Sequence, residues 1–238
     1  MQPDRWNSQA QSQTQGRAVG YDAGLRAHMQ RIYNRMAAGV LVTALTAWIV
    51  ASTPALMATL MTPPIVYAVI FAPLAIVWFG FNPMTMSSQK LALSFFGISV
   101  LYGISFSVLL FAFTHEAIFR AFFVATGMFA GLSIFGYTTK KNLDGLASFA
   151  IMGVWGVLIM TLLNGFIFKS ESMFDLISVI SIIAFSGITA WQTQAMKEMY
   201  HPGAGDEANS RMGWGAALNL YISFIVLFQN ILRLMNSR

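Results

Sequence analysis

The sequence predicts an all-α membrane protein, a polytopic bundle of seven transmembrane helices. Of its 238 residues, 56% are hydrophobic and only 10% are charged, whereas a water-soluble domain usually carries about 25% charged residues. The apolar residues are also arranged in seven long, unbroken runs. Unbroken runs are typical of spanning helices, because the strands of a membrane barrel alternate apolar and polar residues.

The chain begins with a polar segment. Residues 1–20 are rich in Gln, Ser and Arg and contain almost no large aliphatic side chain. Such a composition cannot bury enough apolar surface to fold, so it predicts a disordered cytoplasmic tail. Residues 21–238 are then predicted to form one membrane domain. No cleavable leader is expected, since the first apolar run is long enough to remain as an anchor.

A short basic segment precedes the first apolar run. Between residues 23 and 35, apolar side chains recur at helical spacing with arginines between them. The apolar residues are Leu25, Met29, Ile32 and Tyr33, and the basic residues are Arg26, Arg31 and Arg35. This pattern favours either a helix lying on the membrane surface or an extension of the first span.

The seven predicted spans each have about the 20 residues that a membrane-crossing helix needs. They cover residues 36–57, 64–81, 91–113, 117–137, 146–168, 173–194 and 212–235. In the fourth span, Gly127 and Gly131 form a GxxxG pattern, which in lipid lets helix backbones approach closely. We expect these glycines to pack within a compact bundle, and the pattern leaves both a monomer and a homodimer open.

The basic residues predict the orientation in the membrane. With the N-terminus in the cytoplasm, most of the 14 Lys and Arg fall on the cytoplasmic side. That side holds Arg5, Arg17, Arg26, Arg31, Arg35, Lys90, Lys140, Lys141, Lys197 and Arg211, and the other side holds Arg120, Lys169, Arg233 and Arg238. This bias predicts a cytoplasmic N-terminus and an external C-terminus. It also accounts for the net charge of +5 without nucleic acid as a partner.

The spans lack the residues that most intramembrane enzymes require. Ionisable side chains inside a membrane are the usual functional candidates, yet the first six spans have none away from their ends. In the seventh, Arg233 lies one turn from the end and is expected to extend to the interface. A retinal lysine, a pair of protease aspartates and a buried Ser–His pair are all absent. Without cysteine and with scattered histidines, we expect no enzyme, no metal site and no cofactor.

Three segments carry a resemblance to a known family. They are FGYTTKKNLDGLASF from Phe135, FSGITAWQTQAMKEMY from Phe185 and ALNLYISFIVLFQNILRL from Ala217. Together they resemble the Bax inhibitor 1 family of seven-helix membrane proteins, from about residue 21 to the C-terminus. The residues that match its motifs are Gly136, Tyr137, Thr138, Thr139, Lys140, Thr193, Gln194, Tyr221 and Arg233.

The resemblance implies a fold and a function. Six helices are expected to surround a central seventh, in the inner membrane of a bacterial cell. The implied function is ion homeostasis and stress response, through a pH-sensitive leak of calcium or another cation. Bacterial relatives are also linked to a membrane-bound ATP-dependent protease, so the alternative is a non-conducting modulator of such a protease. The basic residues of segment 22–35 and the tail would then form the docking element.

The chain departs from the family at its proton sensor. Where the family has Tyr-Asp-Thr-Gln, this sequence reads WQTQ, which places Gln192 at the first aspartate. In the seventh span Ser223 stands at the second aspartate. A buried aspartate pair shares a proton and titrates near neutral pH, but glutamine and serine do not titrate there. We therefore expect either a fixed polar plug between the last two spans or a permeation path with altered selectivity.

Overall fold

The computed structural model of the chain describes residues 4–237, with side chains described for residues 23–237. Within that range, the helices are α1 (Asp4–Ser52), α2 (Pro54–Leu60), α3 (Ile65–Phe79), α4 (Ser88–Phe106), α5 (Leu109–Ala112), α6 (His115–Thr138), α7 (Asp144–Leu163), α8 (Glu171–Glu198) and α9 (Asp206–Met235). A π-helical turn, Asn164–Phe168, extends α7. The predicted tail, residues 1–20, lies outside the residues with described side chains and stays a prediction.

The described helices can provide up to seven membrane spans. Six helices are long and apolar enough to span a membrane, and α2 with α3 forms a further pair that is bent by 76°. Helices α1 and α4 run parallel, because Gly39 lies against Phe95 while Gly103 lies against Thr46. The chain must therefore return from the end of α1 to the start of α4, and α2 and α3 provide that crossing. The predicted seven-span, all-helical bundle is confirmed.

Helix α9 is the central helix. In its apolar stretch of 18 residues, 67% of α9 is buried inside the protein. The corresponding share is 11–33% in the other long helices. It packs directly against α1, α4, α6 and α8, while α3 packs on α4 and α7 packs on α8 in an outer layer. Ring contacts connect it to its neighbours: Phe95 lies 5.5 Å from Tyr221, and Phe129 lies 5.6 Å from Phe224, between ring centroids. The central seventh helix is therefore confirmed.

The helix directions give the bundle two distinct ends. Of the described Lys and Arg, eight lie at the end formed by residues 23–35 of α1, the starts of α4 and α9 and the α6–α7 and α8–α9 connections. They are Arg26, Arg31, Arg35, Lys90, Lys140, Lys141, Lys197 and Arg211. We call this the basic end. The opposite end has Arg120, Lys169 and Arg233.

The basic segment at residues 23–35 extends the first span and does not lie on a membrane surface. Helix α1 runs without a break through it. Its apolar residues Leu25, Met29 and Ile32 are buried in the protein core, where they join the side chains of α9. Their spacing continues to Met36, so one apolar stripe serves the segment and the span alike.

The first predicted span, residues 36–57, has the wrong C-terminal boundary. Helix α1 ends at Ser52 because Thr53 precedes Pro54 and takes an extended conformation, with φ −118° and ψ 94°. A proline pushes the preceding residue out of the helical region. Pro54 itself then starts α2, a position that tolerates its missing N–H.

The prediction that Gly127 and Gly131 pack within the bundle is wrong. A methyl group placed on either residue meets no described atom within 4 Å, so both face outward. Gly136 is the packing glycine of α6: a methyl group there would overlap the carbonyl oxygen of Ala190 on α8. Five residues rotate a helix by about 140°, which places Gly131 and Gly136 on different faces.

Candidate functional site

The structure brings together the two residues that stand at the family's aspartate positions. The hydroxyl of Ser223 on α9 donates a hydrogen bond to Oε1 of Gln192 on α8, at 3.0 Å. Ser223 is 1% exposed. The two helices run antiparallel, as shown by the stacking of Arg233 at the end of α9 on Phe174 at the start of α8. The expected contact is confirmed, and it links the central helix to α8 through neutral groups.

On the side of the pair that faces the basic end, the interface between α8 and α9 is closed. Met196 is 1% exposed, and Leu220 and Thr193 are fully buried. The hydroxyl of Tyr33 on α1 lies 3.3 Å from Oγ1 of Thr193. Three helices therefore meet in a packed layer between the pair and the basic end.

On the other side of the pair there is a cavity of about 760 Å³. Its walls come from α7, α8 and α9 and from the region around α5, and it reaches inward to Phe185 and Val226. Val226 follows Ser223 by three residues, which is about 4.5 Å along a helix. The pair therefore lies close to the inner end of a cavity whose mouth is at the opposite end of the bundle.

A second polar contact holds the central helix to α1. The hydroxyl of Tyr221 lies 2.7 Å from Oγ1 of Thr43, and that oxygen lies 3.0 Å from the carbonyl oxygen of Ser99 on α4. Tyr221 is fully buried. The motif tyrosine therefore ties three helices together next to the Gln192–Ser223 pair. Sequence reasoning missed Thr43, because one hydroxyl within an apolar run gives no distinctive signal.

The Gly-Tyr-Thr-Thr-Lys motif packs the end of α6 onto α8. Gly136 allows the close approach to Ala190. About two turns further along α8, the Lys197 ammonium donates to the carbonyl oxygen of Tyr137 at 2.6 Å and lies 4.9 Å from the centre of its ring. Lysine is well suited to this position, because the carbonyl groups at a helix C-terminus attract cations.

The remaining motif residues lie at the C-terminal end of α6. The Thr138 hydroxyl donates to the carbonyl oxygen of Ile134 at 2.8 Å. Thr139 is the C-cap residue of α6 and has an extended conformation, and its Oγ1 accepts a hydrogen bond from the backbone N–H of Lys141. Lys140 is exposed. These residues therefore position the α6–α7 connection and lie away from the cavity.

The two amides near the end of α8 have different roles. Gln194 accepts a hydrogen bond from the backbone N–H of Leu143 and donates one to the carbonyl oxygen of Lys141, both at 2.9 Å. Trp191 supports the same connection by donating from Nε1 to Oδ1 of Asp144, also at 2.9 Å. Gln192, between them, faces the core. One amide thus holds a loop, and the other forms the polar pair.

Arg233 lies at the cavity mouth, far from the pair. Its guanidinium stacks on the Phe174 ring at 4.1 Å. The prediction that it extends toward the interface agrees with its place near the end of α9. Across residues 23–237, no three His, Asp or Glu side chains lie close enough together to hold a metal ion.

Sequence comparisons extend over almost the whole chain. Residues 25–238 match the model of a family described as inhibitor of apoptosis-promoting Bax1. The chain is 34% identical to the inner membrane protein YbhL of Escherichia coli K12 over 224 residues, which are 91% of this chain and 94% of the relative. An uncharacterized protein of Caulobacter vibrioides is 36% identical over 225 residues, 90% of each chain. A protein of Rickettsia prowazekii is 34% identical over 221 residues, 92% of each chain.

Proposed function

Because the chain belongs to the Bax inhibitor 1 family of membrane proteins, we propose that it is a cation leak pathway, with calcium as the first candidate ion, in the bacterial inner membrane. Its role would be ion homeostasis under stress, without catalytic activity. The observation that carries the proposal is the Gln192–Ser223 hydrogen bond, about one helical turn along α9 from the inner end of the cavity. It is the polar contact between α8 and α9 close to the level where the cavity stops.

The chemistry of the pair suits a weak cation site. Amide and hydroxyl oxygens are ligands that calcium accepts, but without a carboxylate they offer no charge to compensate for the ion's dehydration. Met196 and Leu220 are buried on the side of the pair that faces the basic end, so the proposed path would be closed there. A leak therefore requires α8 and α9 to separate, which breaks one neutral hydrogen bond worth about 1 kcal/mol.

The proposal predicts a leak that does not respond to pH. Neither Gln192 nor Ser223 exchanges a proton near neutrality. Calcium entry into liposomes that hold the purified protein should be nearly constant between about pH 6 and pH 8, the range in which a coupled, buried carboxylate pair changes charge. A calcium-sensitive dye inside the liposomes measures the rate.

The double variant Gln192→Asp with Ser223→Asp should restore a pH response, and each single variant should do less, because it lacks the close partner. Gln229→Asp is the matched control, since it places a single carboxylate in the neighbouring cavity, away from the pair. A wild-type leak that changes steeply with pH would contradict the proposal. It would direct attention to His201 in the α8–α9 connection.

A second candidate function is modulation of a membrane-bound ATP-dependent protease. The observation that favours it is the two-sided character of α1 near the basic end. Arg26 and Arg31 are exposed, while Leu25 and Met29 on the opposite side of the helix face the core. Deletion of residues 1–20, or Arg26→Gln with Arg31→Gln, should remove modulation in a co-reconstituted system and leave calcium entry intact. If these changes reduce calcium entry but leave modulation of the protease intact, then residues 1–20 and the two exposed arginines do not serve this function.

A further inference from the structure

The cavity whose inner end lies about one helical turn from Ser223 has the dimensions of a groove for a lipid chain. It extends from Val226 on α9 to Ser237, just past the end of that helix, and the helical part, Val226 to Met235, is about 14 Å long at 1.5 Å per residue. That length is close to one leaflet, half of a hydrocarbon core of about 30 Å. Its volume of about 760 Å³ is within the ~300–1,000 Å³ of small-ligand sites.

The groove has a way in from the side. Helix α7 forms one wall, α9 and the region around α5 form the other, and α8 lies at the back. Among the described residues, α7 makes its extensive contacts with α8 and has no extensive contact with α5 or α9. A long apolar molecule can therefore enter between these walls without crossing the bundle.

Much of the groove wall is apolar, and the hydroxyl groups in it have hydrogen-bond partners; among the described residues, the exposed amide of Gln229 is the uncharged polar group in the wall that lacks one. Val154, Val157 and Leu158 line it from α7. The two serines that α8 contributes donate within their own helix: Ser178 to the carbonyl oxygen of Phe174 at 3.0 Å, and Ser181 to that of Ile177 at 2.7 Å. Such walls suit an acyl chain, because no wall hydroxyl loses a hydrogen bond when water is replaced by hydrocarbon.

The mouth of the groove carries both signs of charge. Arg233 on α9 and the carboxylates Glu171 and Asp175 on α8 all line it. The Arg233 guanidinium is held by Phe174 at 4.1 Å, yet the described residues contain no carboxylate within ion-pair distance of it. The N–H groups of Arg233 are thus held in a position where they can bind an anion. The two carboxylates on α8 are available to bind a cation.

We propose that this groove binds one phospholipid with a phosphate and a primary ammonium in its headgroup, of the phosphatidylethanolamine type. Arg233 binds the phosphate, for which a guanidinium provides two parallel donors. Glu171 and Asp175 bind the ammonium, and one acyl chain lies along α8 toward Phe185. A glycerol headgroup lacks the cation and would leave both carboxylates facing an anionic lipid. The lipid would occupy the cavity that leads toward the Gln192–Ser223 pair, but its binding is measured without any ion flux, so failure of the proposed leak would not decide this proposal.

The test is lipid binding to the full-length protein in detergent, followed by native mass spectrometry. The probes are dioleoyl phosphatidylethanolamine and dioleoyl phosphatidylglycerol, which differ only in the headgroup. The wild type should retain one ethanolamine lipid in preference to the glycerol lipid. Arg233→Gln should weaken ethanolamine-lipid binding at least about tenfold, the effect of a charge-assisted hydrogen bond. Arg233→Lys should retain more affinity than Arg233→Gln.

Matched variants separate the site from general effects. Arg120→Gln removes a cation at the same end of the bundle that is already paired with Glu116, and it should change nothing. Glu171→Gln with Asp175→Asn should reduce the preference for the ethanolamine lipid over the glycerol lipid.

On α7, Val157→Trp fills the groove and should weaken the binding of both lipids. Ile159→Trp, on the outer face of the same helix, should leave the binding of both unchanged. Equal binding of both lipids by the wild type, or equal ethanolamine-lipid affinity in Arg233→Gln and Arg120→Gln, would overturn the proposal.

Discussion

At the scale of single residues, neutral polar side chains link the buried parts of the helices by hydrogen bonds, a role that charged side chains have in many membrane proteins. Ser223, Gln192, Tyr221 and Thr43 join helices through hydroxyl and amide groups. Sequence resemblance predicted that Gln192 and Ser223 would meet, since it placed them at paired positions. It could not predict the Tyr221–Thr43 contact, because the facing residue on another helix is set by tertiary packing.

The Ser223–Gln192 hydrogen bond should contribute modestly to stability. Ser223→Ala leaves Oε1 of Gln192 without this donor in a buried interface, and the expected loss is about 0.6–1.7 kcal/mol, as for hydrogen bonds between membrane helices. Thermal unfolding in detergent measures it. Ser181→Ala is the control, because that buried hydroxyl bonds only within its own helix. An equal loss in both variants would mean that the link between helices contributes nothing beyond a local bond.

Gln194 should hold the α6–α7 connection. Gln194→Leu removes the acceptor of the Leu143 N–H and the donor to the carbonyl oxygen of Lys141. We expect the Leu143 amide to exchange hydrogen about fivefold faster, which corresponds to a bond of about 1 kcal/mol. Hydrogen-exchange mass spectrometry of peptides that contain Leu143 measures this. Gln192→Leu should leave the same peptides unchanged, and faster exchange there would show that the loop depends on the core pair.

At the scale of helices, the sequence predicted where spans lie better than which face each one buries. Lipid is as apolar as the protein core, so the periodicity that marks the buried face of a soluble helix is lost in a membrane helix. Gly127 and Gly131 have the expected spacing but face outward. Gly136 packs, although no partner at small-residue spacing marks it. For the same reason the segment at residues 23–35 could not be assigned to a surface or to the core before the structure placed Leu25 and Met29.

The two kinds of glycine should respond differently to the same substitution. Gly136→Ala forces a methyl group onto the carbonyl oxygen of Ala190, and separating α6 from α8 should cost about 1–3 kcal/mol. Gly131→Ala meets open space and should have no effect or stabilise α6 slightly, since alanine favours helices. Unfolding of both variants in the same detergent makes the comparison. A larger loss for Gly131→Ala would indicate that its outward face contacts a second copy of the chain.

At the scale of the whole molecule, the most buried helix is not the most apolar one. The span of α7 has mean hydropathy 2.2 and is 11% buried, whereas that of α9 has mean hydropathy 1.6 and is 67% buried. A helix surrounded by lipid must be apolar all round, while a central helix can carry groups such as Ser223 and Tyr221 that bond to its neighbours. The difference in mean hydropathy can be read from the sequence, but it does not identify the central helix. The span of α1 has an even lower mean hydropathy of 1.5, and only 28% of it is buried. The number of spans was therefore predictable from composition, and the central position came from the family resemblance.

Seven crossings place the two ends of the chain on opposite sides of the membrane, and the charges select which side is which. Eight of the described basic residues gather at the basic end and three at the other, so the basic end should be cytoplasmic. An enzyme reporter that is active only outside the cytoplasm should be active when fused after residue 238. The same reporter after Gly203, in the α8–α9 connection, should be silent, and a cytoplasmic reporter should give the reverse pattern. Exchange of the two results would mean that the bundle is inserted the other way round. The same result at both positions would mean that α9 does not cross, which would contradict its place at the centre of the bundle.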